Sequence, residues 1–411
     1  VSSNYDAADR TVTLDFAQSC PATPGQPQKQ PFVIPVKLGL VGMAGDLPLN
    51  SHGDTEIVYE VSQTHQQLIV ENVDEAPVPS LLRELSAPVK LDYAYTKDQL
   101  IHLMANDSDG FNRWDAGQKL SFELLVKLTA DSHQQRPLEM DNQLIDAYKS
   151  LLTDASLDPA MVALMLQLPS EAQLHEESAV IHADAIHSAR LFVRQALADA
   201  LNEDFLAVYQ RHNIEQVYAP DASQIGRRSL KNTALSYLML VDPVGVDLAS
   251  QQFESADNMT DKATALSCLV NCPAAAPKAE TALQQFELQY RDEALVMNLW
   301  LQVQAANSQS GGLQRVEELE THPSFTLSNP NKIRSLIGGF CNANLVNFHN
   351  PDGSGYEFLK QHILTLHSRN PQVAARLMTP LTRWKKFPEP NSSQMRGALQ
   401  VIADEQGLVK D

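Results

Sequence analysis

The residues best suited to hold a charged ligand lie near the C-terminal end, in two stretches of similar design. Residues 328–338 carry Asn329-Pro330 followed by Arg334, and residues 369–377 carry Asn370-Pro371 followed by Gln372 and Arg376. Asparagine accepts a hydrogen bond from the free N–H groups of a first helical turn, and proline fits the next position because its missing N–H costs nothing there. Two helix starts are therefore expected, each with an arginine in its second turn. A spacing of four puts Gln372 and Arg376 on one helix face. Arginine presents a planar fork that matches a carboxylate, and a helix start adds positive dipole, so the expected chemistry is carboxylate binding. Ordinary capped helices with solvated arginines would have the same spacing.

Other chemistries find little support in the residue pattern. The nearest approach to a zinc helix is His175-Glu176-Glu177-Ser178-Ala179, in which Ala179 stands where H-E-x-x-H needs its second imidazole. His182 and His187 are out of phase with His175, and His52 and His65 fall in or beside predicted turns, so all five are expected in core, capping or solvated roles. Cys20, Cys268, Cys272 and Cys341 form no C-x-x-C pair. They are expected as reduced thiols in a cytoplasmic protein. No G-x-S-x-G elbow occurs. Asp352-Gly353-Ser354-Gly355 is a turn by composition and lacks the preceding strand of a phosphate loop.

Two kinds of element must position these residues. From Val1 to about Tyr95 apolar residues alternate with polar ones, as in Val12/Leu14/Phe16, Ile34/Val36/Leu38/Leu40, Ile57/Tyr59/Val61, Leu68/Val70 and Val89/Leu91/Tyr93. Breaks rich in Pro and Gly separate them, including Pro77 to Pro79, so residues 1–95 are expected to form a small antiparallel β-sandwich. From residue 96 to 411 the period becomes helical, in stripes such as Leu120/Leu124/Leu128, Tyr148/Leu151/Leu152 and Leu197/Leu201/Phe205. Start signals recur at Asp158-Pro159, Thr260-Asp261, Asn329-Pro330 and Asn370-Pro371. The expected architecture is multidomain, a β-sandwich followed by an all-α superhelical, solenoid-like domain.

A length of 411 residues supports about two to three domains with a sizeable core. The net charge of −19 disfavours nucleic acid as a partner, because phosphate binding needs clustered Lys and Arg. That acidity is uneven: from Asn331 to Asp411 ten Lys and Arg outnumber six Asp and Glu, so the basic excess falls where the two capped helices lie. No apolar run approaches the ~20 residues of a membrane helix. The chain opens on Val1 rather than Met, directly in strand-like sequence, as a piece of something longer would.

Several segments together resemble one family, the bacterial zinc aminopeptidase N, or alanyl aminopeptidase, of the gluzincin metallopeptidases. They are Pro77 to Leu91, Arg113 to Ala116, Asn258 to Asp261, Ser328 to Phe340, Asp352 to Tyr356 and Arg369 to Leu377, in order along the chain. The resemblance covers the C-terminal half of such an enzyme, its β-sandwich and helical domains. It implies a parent protein that releases N-terminal amino acids from peptides with zinc as cofactor. It also implies that Arg334, Gln372 and Arg376 line an internal substrate channel, where this part packs against a catalytic domain the chain lacks. The zinc-binding H-E-x-x-H, its downstream glutamate, the catalytic tyrosine and the G-x-M-E-N anchor have no match here. Glu139-Met140-Asp141-Asn142 lacks the glycine of that anchor. Arg113-Trp114-Asp115, at the start of a long helix, is expected to be structural. The alternative is a stand-alone helical-repeat module that binds a protein or peptide without catalysis.

The residue pattern gives this chain no catalytic residue and no cofactor of its own. The purified chain alone is expected to bind no stoichiometric zinc and to hydrolyse no alanyl amide. Elemental analysis checks this, and about one chelatable zinc per chain coupled to activity would overturn it.

Overall fold

The computed structural model describes residues 1–241 and 243–408. These fall into two compact units, one of residues 1–123 with 141–168, the other of residues 124–140 with those from 169 onward.

In the first unit, seven strands form two antiparallel sheets. One has the order β1 (Ser2–Asp6), β2 (Thr11–Ala17), β6 (His65–Glu71). The other pairs β3 (Ile34–Gly42) with β4 (Gly45–Leu47), β5 (Glu56–Val61) and β7 (Val78–Leu81). Alternation sets the packing. Val12, Leu14 and Phe16 of β2 and Val36, Leu38 and Leu40 of β3 enter one core, and Leu38 pairs with Ile57 while Leu14 pairs with Leu68. Each fully buried leucine contributes about 2 kcal/mol.

Two expectations about this region are corrected. Val89, Leu91 and Tyr93 alternate but lie in irregular backbone. Leu91 and Tyr93 lean on the core, while the stretch is tethered by the Val1 amine donating to Asp92 O (2.8 Å) and by Ser3 Oγ with Tyr93 Oη (2.6 Å). Alternation there reports one-sided burial and no ladder. The supposed break at Pro77 to Pro79 instead contains β7, where Pro79 sits opposite Leu40. Proline is tolerated on such an edge strand, and Tyr95 Oη donates to the Pro79 carbonyl at 2.8 Å.

After β7 the backbone turns left-handed at three non-glycine residues, Leu82 (φ 56°), Glu84 (φ 56°) and Leu85 (φ 54°). Such conformations cost about 1–3 kcal/mol each and persist only where the surroundings over-determine them. Arg83 provides that: it is fully buried, with Nε donating to Ser80 Oγ (2.9 Å), Nη1 and Nη2 to the Asp46 carboxylate (3.0 and 2.9 Å), and Nη2 also to Asp107 Oδ1 (2.9 Å). Gly39 makes room, since a Cβ there would lie 2.4 Å from Arg83 Cζ. Burial pushes the Asp107 carboxyl up, whereas the Arg83 and Ser108 hydrogen bonds outweigh burial at Asp46 and hold it down. Asp107 heads the loop between the helices Lys97–Asn106 and Gly110–His133, so one guanidinium ties these helices to the strands.

The second unit consists of helices joined by turns and loops, with no strand among its described residues. Asp158 and Asn258 show how the helix starts of both units are set by side-chain caps. Asp158 accepts from Met161 N at 3.0 Å. The helix expected at Thr260-Asp261 starts at Met259 instead, because Asn258 is the cap, accepting from Asp261 N at 2.9 Å. That frees the Asp261 carboxylate to turn inward, where it meets Lys231 Nζ (2.7 Å) and Asn232 Nδ2 (2.9 Å) out of water. The stripe Leu197/Leu201/Phe205 is buried as expected but spans two helices, Ala183–Ala200 and Asn202–His212, which meet at Leu201.

Removing one partner of a buried ion pair leaves an uncompensated charge and costs about 3–5 kcal/mol. Arg83→Ala is therefore expected to destabilise the first unit on that scale, and Gly39→Ala to act in the same direction by displacing the guanidinium. Hydrogen exchange over residues 34–42 and 78–81 reads both.

Candidate functional site

The two arginine stretches form helices with the expected caps. Asn329 Oδ1 accepts from Asn331 N at 2.9 Å and Asn370 Oδ1 from Val373 N at 3.3 Å, each followed by proline at the first helical position. Ile333, Leu336 and Ile337 of the first stretch, and Val373, Ala374 and Leu377 of the second, are buried. Arg334, Gln372 and Arg376 are exposed. Gln372 and Arg376 share an exposed face, as their spacing requires.

Three features were not legible in the spacing. The helix that begins at Pro330–Ile333 widens into a π-helical turn over Arg334–Gly338 and then resumes as Gly339–Ala343. Such turns are rare inside helices and frequent at functional sites. Secondly, Gly339 lets this helix pack closely. A Cβ on Gly339 would lie 3.3 Å from Ala305 Cβ, and one on Gly338 would meet Leu377 Cδ2 at 4.0 Å. Gly338 is one turn on from Arg334 and Leu377 adjoins Arg376, so the two arginine helices are neighbours there, at an ordinary van der Waals separation that an alanine would also allow. Thirdly, Pro371–Leu377 is only seven residues long, so Arg376 falls in its last turn, near the negative end of the dipole. The expected helix-start contribution therefore fails for Arg376.

Arg334 Nη2 donates to Asn331 Oδ1, and among the described residues no carboxylate pairs with Arg334 or Arg376. The other matched motifs behave differently. Arg113 caps the end of Lys97–Asn106, with Nε donating to Met104 O (3.1 Å) and Nη2 to Ala105 O (2.8 Å), the structural role expected of it. In Asp352 to Tyr356, Gly353 takes φ +77° and Gly355 lies where a Cβ would be 2.3 Å from Phe348 O. That turn delivers Tyr356 into the core, where its hydroxyl meets His349 Nδ1 (2.9 Å) and accepts from Asn391 Nδ2 (2.7 Å). The helix it starts, Ser354–Leu366, packs against Pro371–Leu377.

The histidines take structural roles. His175 is buried and its Nε2 has no partner among the described residues, with His349 at 5.7 Å between ring centroids. Burial holds His175 down to about 4 and His349 down to about 3. His182 stacks on His133 at 3.7 Å, and His187 Nδ1 bonds Glu171 Oε1 at 2.7 Å, which raises the imidazole above its usual range. All four cysteines are free thiols. Among the described residues no three His, Cys, Asp or Glu side chains converge to hold a metal, so those residues present no site that fits zinc. No described helix is long and apolar enough to cross a membrane.

An Ig-like sandwich followed by a helical-repeat domain, carrying two uncommitted arginines, is the class this structure defines. Residues 1–94 match a domain of unknown function with an Ig-like fold (DUF3458), and residues 97–411 match its C-terminal companion, described as ARM repeats (DUF3458_C). The chain belongs to this family. It corresponds to the C-terminal region of aminopeptidase N. It is 38% identical over 415 residues to "Aminopeptidase N" of Escherichia coli (strain K12), covering 100% of this chain and 47% of the relative. For "Aminopeptidase N" of Haemophilus influenzae the figures are 35% over 413 residues, 100% and 47%. The chain thus spans about half the length of these curated relatives, 47% of each. Among solved structures, that of Legionella pneumophila aminopeptidase A in complex with aspartic acid aligns with a TM-score of 0.80 and 29% identity, over 97% of this chain and 46% of that one.

The buried imidazoles generate a pH dependence. An unfolded histidine titrates near 6.5, whereas folded His175 and His349 resist protonation until about 4 and about 3. In that window the unfolded chain binds the extra protons, so the stability contributed by these two imidazoles is fully present above pH 6.5 and is lost as pH drops towards 4 and on towards 3. Melting temperatures measured across this range should show the loss, and His175→Phe should flatten it.

Proposed function

We propose that this chain is the β-sandwich and helical part of a zinc-dependent aminopeptidase N that releases N-terminal amino acids from peptides. In this reading it is non-catalytic, packs against the catalytic part that the relatives' additional length contains, and lines and closes the substrate channel. The zinc and the groups that activate water would belong to that other part. Free thiols at Cys20, Cys268, Cys272 and Cys341 suit a reducing cytoplasm.

Arg334 and Arg376 would bind the peptide's C-terminal carboxylate, with Gln372 as an amide partner on the Arg376 face. The observation that carries this is the contrast in charge pairing. Arg83 and Lys231 meet internal carboxylates, whereas Arg334 and Arg376 keep unpaired guanidiniums on adjoining helices of an acidic chain. A charge-assisted hydrogen bond to a carboxylate is worth roughly 1.5–3 kcal/mol.

The test uses the full-length enzyme. Arg334→Ala or Arg376→Ala is expected to lower kcat/KM on short peptides by about ten- to a hundredfold while sparing a single-residue amide, which offers no carboxylate. Equal losses on both substrates with a lowered melting temperature would show that the arginines hold helices together and would overturn the channel reading.

A further inference from the structure

The helical unit contains a cavity of about 910 Å³ that shares no residue with the arginine pair. It is bounded by the helices Ala183–Ala200, Pro243–Ser255 and Ala276–Tyr290 and by the C-terminal ends of Ala222–Leu238 and Met259–Val270. Its apolar wall includes Met239, Leu240, Val241, Pro243 and Val246. Among the described residues, three charged ones reach it. Lys278 and Asp247 neutralise each other through a 2.5 Å ion pair, both half-exposed, which leaves Arg194 as the net charge among its described lining residues.

Arg194 is only partly committed. Its Nη2 donates to Ser236 O at 3.0 Å, and its guanidinium carbon lies 5.4 Å from the centroid of the Tyr237 ring. Among the described residues, Nε and Nη1 make no hydrogen bond and no carboxylate pairs with the group. A guanidinium has five donors in a fixed fork, so a second acceptor can be taken without breaking the bond to Ser236. The nearby amides are occupied: Gln195 Nε2 donates to Leu240 O (3.1 Å) and Asn271 Nδ2 to Ser267 O (2.9 Å). Burial pushes the Cys268 thiol up to about 12, so it contributes no anion that could neutralise Arg194.

We propose that this cavity binds a small carboxylic acid with an apolar tail, its carboxylate on Arg194 and its tail against Met239, Leu240 and Val246. A wholly apolar ligand would cover the Nε and Nη1 donors of Arg194 without supplying an acceptor, and a phosphate would find one cation that no described carboxylate pairs and occupied amides. A monoanion with a hydrocarbon body satisfies both the fork and the wall. The volume suits a small ligand. The site does not rest on the peptidase reading, because it needs neither Arg334 nor Arg376.

Octanoate is the probe, and the thiols give a local readout. Cys272 lines the cavity, whereas Cys20 is exposed elsewhere and serves as an internal control. Octanoate is expected to slow alkylation of Cys272 by iodoacetamide, followed by peptide mass spectrometry, and to leave Cys20 unchanged. Octanol, with the same tail and no charge, should protect far less. Arg194→Gln should raise the half-protecting octanoate concentration by about ten- to a hundredfold, with Arg194→Lys retaining part of the effect. No protection of Cys272, or equal protection by octanol and octanoate, would overturn the proposal on the unmodified protein, whether or not the variants fold. Unchanged protection in a folded Arg194→Gln protein would overturn it as well.

Discussion

A charge taken out of water must be met by an opposite charge or by hydrogen bonds, and most of this structure's polar organisation follows from that requirement. Arg83 is the largest fully buried side chain, and its position is possible only because Asp46, Asp107 and Ser80 converge on it and Gly39 leaves space. The left-handed turn at Leu82, Glu84 and Leu85 is held by the same guanidinium. In the helical unit Lys231 and Asp261 meet the requirement in another way, with Asn232, Asn258 and Gln252 completing the network around them.

Against that background, the exposed guanidiniums of Arg334 and Arg376 stand apart. Their backbones are held in place: caps and prolines start both helices, buried aliphatic residues anchor them, and Gly339 lets Ala305 approach closely. The His349–Tyr356–Asn391 cluster, reached through Gly355, starts the helix on which Pro371–Leu377 packs. Rigid backbone beneath an uncommitted charge suits ligand binding, because little ordering remains to be done when the ligand arrives. A π-helical turn at Arg334 interrupts the regular helix there, and such turns are frequent at functional sites.

Much of the fold was legible in the residues. Alternation located β2, β3, β5 and β6, and Asn-Pro and Asp-Pro pairs located helix starts, because each signal is a local property of backbone geometry and side-chain reach. It failed where one pattern serves two structures. Val89, Leu91 and Tyr93 alternate because one face is covered, without a partner strand, while β7 was hidden by prolines that an edge position tolerates. The cap before Met259 was misplaced by two residues because Asn258 and Thr260 both belong to the class that caps helices. The spacing of Gln372 and Arg376 gave their common face, but the dipole argument for Arg376 depended on a helix length the pattern did not contain.

By itself the sequence determined the succession of sandwich and helices, the helix starts, the shared face of Gln372 and Arg376 and the family resemblance, since all of these depend on neighbours within a few residues or on motif order. Only the tertiary structure decided which charges are internal. Arg83, Arg113, Arg194 and Arg376 are the same residue in composition, and they differ by what distant segments bring to them: Asp46 and Asp107 to the first, helix-end carbonyls to the second, a single carbonyl and an aromatic ring to the third, and no carboxylate to the last. Partnership across tens of residues is a property of packing, and no local pattern encodes it.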